Sequence, residues 1–355
     1  MDIETQKTKM VPDTIAIWCI TPKGKILGEK IKTVLNGSIV FVSVKISEKD
    51  LYGEDTITFE SLSDKLFSEF NKFSGHVFIF STGIAVRLIA PLLNSKLMDP
   101  AVVVTDDNGT HVISLISGHL GGANALTQKI AGIVSGTPVI TTATDTNNLP
   151  AIDLIAKKKN LFIETPENIK HISMAFLMGE PVNLFDPFNF IKTNLPKPFW
   201  TTKNFTGGSN KKIFCSYKTK EVSRETLILR PPVLSIGIGC NRGTSCKAIN
   251  EFLLWVLEKE GLSVNSIFKF ATSDIKKDES GLLALSKKMK IQIAFYGKKD
   301  LNSVKTIITP SEIVETHLGV KSVCEAAAIL AADNGKLIVP KKKNKDVTIA
   351  VAIKK

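Results

Sequence analysis

The stretch Ser117–Asn124 reads SGHLGGAN and sets His119 among Gly118, Gly121 and Gly122 at the end of an apolar run. Glycines let a backbone approach a ligand closely and permit positive φ. An imidazole in such a loop is a candidate general base or acid, although a single histidine is more often structural. About twenty residues on, Thr141–Asp145 reads TTATD after an apolar strand. Hydroxyls and a carboxylate at a strand end, here with Thr142 and Asp145, are where α/β folds place ligand sites. The same residues also suit a capped turn.

Two more junctions carry glycine beside arginine. Ser81–Arg87 reads STGIAVR, a strand end, a glycine turn and a helix start. The free N–H groups of a helix's first turn can hold a carboxylate or phosphate, here near Thr82 and Gly83. Arg87, one turn in, suits a substrate carboxylate or a structural ion pair. Gly237–Ser245 reads GIGCNRGTS. It departs from the dinucleotide fingerprint in spacing, and it lacks the lysine of a phosphate loop, so nucleotide binding is set aside. An anion cradle remains, built from Gly237, Gly239, Cys240, Arg242, Gly243 and Thr244. Cys240 has no nearby histidine to activate it and reads as a small buried residue.

These residues need a scaffold to position them. The chain has 355 residues, 43% of them hydrophobic and 23% charged, ordinary values for a globular protein. Its length suggests two or three domains. No apolar run reaches membrane-span length, and the polar Met1–Met10 is unlike a secretory leader, so a cytoplasmic location is expected. Five scattered cysteines show neither disulfide nor metal-ligand spacing. The formal charge is +12, carried by 42 lysines and four arginines, which predicts an anionic partner. Where lysine is the default, Arg87 and Arg242 stand out for their planar fork.

Residues 11–143 alternate strand and helix, with strands over Thr14–Ile20, Ile39–Lys45, His76–Phe80, Ala101–Thr105, His111–Ile116 and Pro138–Thr141. Helices fall at 23–35, 62–73, 83–93 and 122–134, and Asp106–Gly109 carries the Asn-Gly hairpin signal. Residues 144–230 read as a small α+β middle segment rich in Pro and Asn. Residues 231–355 return to alternation, with strands over Val233–Gly239, Ser266–Phe270, Ile291–Ala294 and Val347–Ala352. Helices there fall at 243–260, 281–288, 311–317 and 322–332. Ser322 and Glu325 have capping-box spacing, and Lys341–Lys343 reads as a solvated charge run. The expected fold is α/β: two three-layer α/β/α domains flanking the middle segment.

Together the motifs resemble one family. STGIAVRLIAPLLNSKLMDPAVVVTDDNGTHVISLISGHLGGANALTQKIA followed by PVITTATD is similar to the N-terminal domain of the cobalamin biosynthesis protein G family. GIGCNRGTSCKAI, ATSDIKKDESGL, TPSEIV and GVKSVCEAAA are similar to its C-terminal domain, and the match runs from about residue 51 to the end. The resemblance implies hydrolysis of the ring A δ-lactone of cobalt-precorrin-5A, with loss of acetaldehyde to give cobalt-precorrin-5B, in anaerobic cobalamin biosynthesis. It implies a polycarboxylate corrinoid substrate that brings its own cobalt, so no added cofactor and no metal site are expected. On that reading His119 is base or acid, and Asp145 is its orienter or an alternative base. Gly83 and its neighbouring N–H groups, with Arg87, would hold the lactone carbonyl or a ring carboxylate. The expected partners are the substrate, transient contacts with neighbouring pathway enzymes, and a second copy in a homodimer. Nucleic acid and membrane are not expected. A non-catalytic corrinoid-binding protein of the same pathway is the alternative.

Overall fold

The computed structural model describes residues 14–46, 56–95, 98–202, 211–310, 319–320 and 322–354. The chain divides into two compact units, Met1–Leu154 and Ile155–Lys355. The helix expected at 311–317 lies outside the described residues.

The first unit contains β1 (Ile15–Cys19), β2 (Ile39–Ser43), β3 (Thr56–Phe59), β4 (Gly75–Ile79), β5 (Ala101–Thr105), β6 (His111–Ile116) and β7 (Thr137–Val139). They form one sheet in the order β3-β2-β1-β4-β5-β6-β7. Strands β1 to β5 run parallel; β6 is antiparallel to β5 and parallel to β7. Pro138 sits in β7 at the sheet's edge, where its missing N–H breaks no interior ladder.

Strand alternation gives this sheet two apolar faces. Ile17, Val40, Val77 and Val103 pack with Leu27 and Ile31 of α1 (Pro22–Val34). Trp18, Phe41, Phe78 and Val102 point the other way, onto Leu66 of α2 (Leu62–Glu69) and Ala85 and Ile89 of α3 (Thr82–Ile89). Continuous β-branched and aromatic runs therefore belong to strands covered on both sides. Ile130 of α4 (Ala123–Val134) joins the α1 face. The short α5 (Ala143–Thr146) and then α6 (Ile152–Lys158) follow β7. The first unit continues past residue 143, because side chains on both of these helices bond back to the β6–α4 loop.

The second unit holds two five-stranded sheets. One contains β8 (Phe162–Ile163), β9 (Val182–Phe185), β10 (Trp200–Thr201), β11 (Lys212–Cys215) and β12 (Leu227–Arg230), with α7 (Ile169–Leu177) between β8 and β9. The other orders β15-β14-β13-β17-β16, from β13 (Leu234–Cys240), β14 (Ile267–Ser273), β15 (Ile293–Tyr296), β16 (Lys336–Lys343) and β17 (Val347–Ile353). Helices α8 (Cys246–Lys259) and α9 (Ser280–Met289) cover the face bearing Ile236, Ile238 and Phe270. α10 (Lys298–Ser303) and α11 (Val323–Ala331) pack with the opposite face, where Ala271 and Ala350 lie. The fold class is α/β, as the alternation predicts.

Strands β3, β8, β9, β10 and β16 and helix α10 carry no sequence signal strong enough to foretell them. Most are very short, and β16 (KLIVPKKK) hides a proline and four lysines. Lys341–Lys343 is thus the end of a paired strand and not simply a solvated run. Glu325 also departs from its expected capping role. Ser322 Oγ does accept the Glu325 N–H, but the buried Glu325 carboxylate accepts the N–H groups of Ile308, Thr309 and Lys341.

His76 is a core residue. Trp18 Nε1 donates to its Nδ1 at 3.1 Å, and its Nε2 lies 3.0 Å from the Phe70 carbonyl oxygen. Burial pushes its pKa down to about 4. The unfolded chain therefore takes up this proton first, and stability falls as pH drops from about 6.5 toward 4, by up to about 1.4 kcal/mol per pH unit. Urea unfolding across this range should show that slope, and His76→Gln should flatten it; an unchanged slope in the variant would refute the assignment.

Candidate active site

The β6–α4 loop builds the site. Ser117 adopts φ 59° as β6 ends, and Gly122 turns into α4 at φ 93°. Gly118 packs so closely that a Cβ there would meet Asn124 Oδ1 at 2.7 Å. A Cβ at Gly121 would come closer still, to the Ser117 Cβ. With the loop pinned in this way, His119 is held against two short helices from later in the chain.

His119 Nε2 lies 2.7 Å from Asp145 Oδ2, and Nδ1 lies 3.4 Å from Asp153 Oδ2. Thr144 Oγ1 is 3.1 Å from Nε2. Asn124 Nδ2 donates to Asp145 Oδ2 at 3.0 Å and to Thr142 Oγ1 at 3.1 Å. Its Oδ1 accepts from Ser114 Oγ at 2.6 Å. Asp145 is thus aimed by a buried amide that is itself held by β6.

The electrostatics follow from this geometry. The bond to Asp153, opposed by burial and reinforced by Asp145, raises the His119 pKa to about 9. At neutral pH the ring is an imidazolium donating from both nitrogens, so as it stands it is an acid rather than a base. The two carboxylates differ in access: the Asp145 side chain is 35% exposed and that of Asp153 9%. They face opposite nitrogens of one ring and do not converge on a common ion.

The structure brings His119, Asp145, Thr142, Gly118, Gly121 and Gly122 together. The Ser81–Arg87 turn is elsewhere. Because β6 runs antiparallel to β5, its end, at Ile116 opposite Val102, lies at the amino edge of the parallel strands. Ser81 follows the carboxyl end of β4, beside Thr105. Three residues of strand separate Val102 from Thr105, on the order of 10 Å. Gly83 and Arg87 are therefore set apart from the His119 cluster along the strands, a placement that suits a ring carboxylate better than the lactone carbonyl, the two roles expected of them. Arg87 instead donates to the Gly83 carbonyl oxygen, 2.9 Å away in its own helix. Thr82 lines a cavity of about 550 Å³ with Thr21, Ser81, Asp106 and His111, where the strand order reverses between β1 and β4.

In the expected anion cradle of the second unit, the donors of Arg242, Gly243 and Thr244 are used by the chain's own groups. Arg242 Nη1 donates to Asp278 Oδ2 at 2.6 Å, and the Gly243 N–H donates to Glu279 Oε1 at 2.9 Å. Thr244 Oγ1 donates to the Asn241 carbonyl oxygen. Gly237 is a packing glycine, since a Cβ there would collide with the Cys324 carbonyl group. Gly239 likewise lies against Thr348, and Cys240 is half-buried, its thiol pKa raised by burial.

Asp153, Asn124, Thr144 and Ser114 were not singled out by sequence. Asp153 reads there as an ordinary acidic residue in a helix's first turn. Only its contact with His119 marks it.

Residues 64–145, 150–231 and 234–352 match the family models described as cobalamin synthesis G N-terminal, cobalamin biosynthesis central region and cobalamin synthesis G C-terminus. A cobalt-precorrin-5A hydrolase of Priestia megaterium is 32% identical over 377 residues, covering 99% of each chain. One from Salmonella typhimurium is 31% identical over 362 residues, covering 96% of this chain and 98% of that one. Among the described residues no helix is long and apolar enough to cross a membrane.

The His119 pairing also makes a prediction about its titration. Its contribution to stability is fully present below the ordinary histidine pKa and is lost as pH rises through about 9. An NMR titration of the ring Cε1–H should give a midpoint near 9, moving down in Asp153→Asn. A midpoint near 6.5 in the unsubstituted protein would rule out the doubly paired imidazolium.

Proposed function

The chain belongs to the cobalamin synthesis G family, and from that premise we propose that it hydrolyses the ring A lactone of cobalt-precorrin-5A at the His119–Asp145–Asp153 cluster, releasing acetaldehyde. The observation that carries the site assignment is an imidazolium held between a more exposed and a nearly buried carboxylate. Lactone opening needs a base for water and an acid for the leaving oxygen. Asp145, open to solvent on one side, takes the proton of the attacking water. His119 gives its proton to the departing lactone oxygen, and the carbonyl carbon becomes a carboxyl group. Asp153 touches no reacting atom in this scheme; it positions the ring and keeps it charged until that transfer.

The second step uses the histidine that the first leaves neutral. His119 accepts the proton of the freed hydroxyl as the adjoining carbon–carbon bond breaks. The electron pair passes into the conjugated macrocycle, and the two-carbon fragment leaves as acetaldehyde. The imidazolium is restored, so one ring serves as acid and then as base, and the proton that Asp145 took from water leaves to solvent or neutralises the electron pair left on the macrocycle. Cobalt enters within the substrate, and the proton transfers are assigned to the chain's own side chains.

Acetaldehyde trapping with cobalt-precorrin-5A tests this. Release by the unsubstituted protein should fall at least about 10²-fold in His119→Ala. It should also decline as pH rises through about 9, and at lower pH in Asp153→Asn. Equal release by His119→Ala would discard the residue assignment and keep the reaction. Corrinoid binding with no release would instead support a non-catalytic binding protein.

A further inference from the structure

The carboxyl ends of β13 and β14 open onto a cavity of about 410 Å³ in the second unit. Gly239, Cys240 and Ser273 form its floor, the first turn of α11 one wall, and the β16–β17 hairpin another. Four lysines line it: Lys276, Lys341, Lys343 and Lys345. Lys342, between two of them, turns away to Glu260 at 2.9 Å. Strand alternation thus divides an unbroken lysine run between two faces.

Little in the cavity neutralises this charge. Lys276 pairs with Glu279 at 3.2 Å. Lys341 Nζ donates to the Thr309 carbonyl oxygen at 3.0 Å, and the Glu325 carboxylate bonds the N–H groups of both residues. Lys343 and Lys345 have no acceptor among the described residues. Asp346 is the one carboxylate among the described residues lining the cavity, and its Oδ1 accepts from Asn241 Nδ2. Gathering like charges around a recess is costly unless an anion sits there. The partial positive charge at the start of α11 has the same sign.

Resting on the proposed reaction for the class of ligand, we propose that this cavity binds carboxylate side chains of a tetrapyrrole. Lysine suits such flexible carboxylates because it pairs as a point charge and demands no single geometry from acetate or propionate chains. The site shares Gly239 and Cys240 with the Gly237–Gly243 loop, but its positive charge comes from the lysine hairpin beside it, since Arg242 is paired with Asp278.

The test is calorimetric titration of the full chain with uroporphyrin, a tetrapyrrole bearing acetate and propionate chains. The Lys343→Ala/Lys345→Ala double variant should bind about tenfold more weakly at low salt. Lys287→Ala/Lys288→Ala removes the same charge from the exposed face of α9 and should bind as the parent does. No binding by the parent, equal weakening in both lysine pairs, or equal displacement by a DNA oligonucleotide would overturn the site. Lysine-dependent binding without acetaldehyde release would leave the site standing and remove the proposed reaction.

Discussion

One carboxylate governs where the chemistry of the first unit can sit. Asp106 accepts the N–H groups of Asn108 at 3.0 Å, Thr110 at 3.2 Å and His111 at 2.8 Å. Burial opposes its charge, but these backbone bonds hold its pKa below the ordinary value. The neighbouring Asp107 accepts from Thr21 Oγ1, tying the turn to the end of β1. A chain turned this tightly cannot cross over to make another parallel strand. It returns antiparallel as β6, and the glycine loop that follows is delivered to the amino edge of the strands. That reversal separates His119 from the Ser81–Gly83 turn and faces it toward Asp145 and Asp153.

Once placed there, the histidine takes its character from its neighbours. Two carboxylates on opposite nitrogens make the charged ring the stable form, and burial opposes this without overcoming it. Their unequal exposure distinguishes two groups of identical chemistry. The nearly buried Asp153 fixes the ring, while Asp145, aimed by Asn124, is reachable from solvent. The amide–hydroxyl chain through Ser114 and Thr142 keeps that aim without adding charge.

The second unit solves a different problem with similar means. Gly237 lets the start of α11 lie directly on β13. The buried Glu325 then accepts backbone N–H groups from residues 308, 309 and 341, tying α11 to β16. With its base anchored, the lysine hairpin stands beside the open ends of β13 and β14. Glu279 and Asp278 take the Gly243 and Arg242 donors, and the positive charge left uncompensated is concentrated on the hairpin.

The sequence by itself determined the β/α alternation, the hairpin at Asp106–Gly109, the glycine loop around His119 and the family resemblance. Each is local: side-chain period, turn chemistry and motif order are written within a few residues of one another. It also carried Asp145, because a hydroxyl-rich strand end is a short-range signal. Asp153 and Asn124 were invisible, since a first-turn acid and a helix-start amide look the same whether or not a histidine faces them. The placement of the lysine run was hidden for a related reason, because composition does not say which of alternate residues face a recess. The partners of Arg87 and Arg242 could not be read from sequence because neighbouring structure chooses them: a carbonyl one turn back and a carboxylate thirty-six residues on. Only the tertiary structure decided which groups meet, because strand direction and register set those distances, and both depend on contacts between residues far apart in the chain.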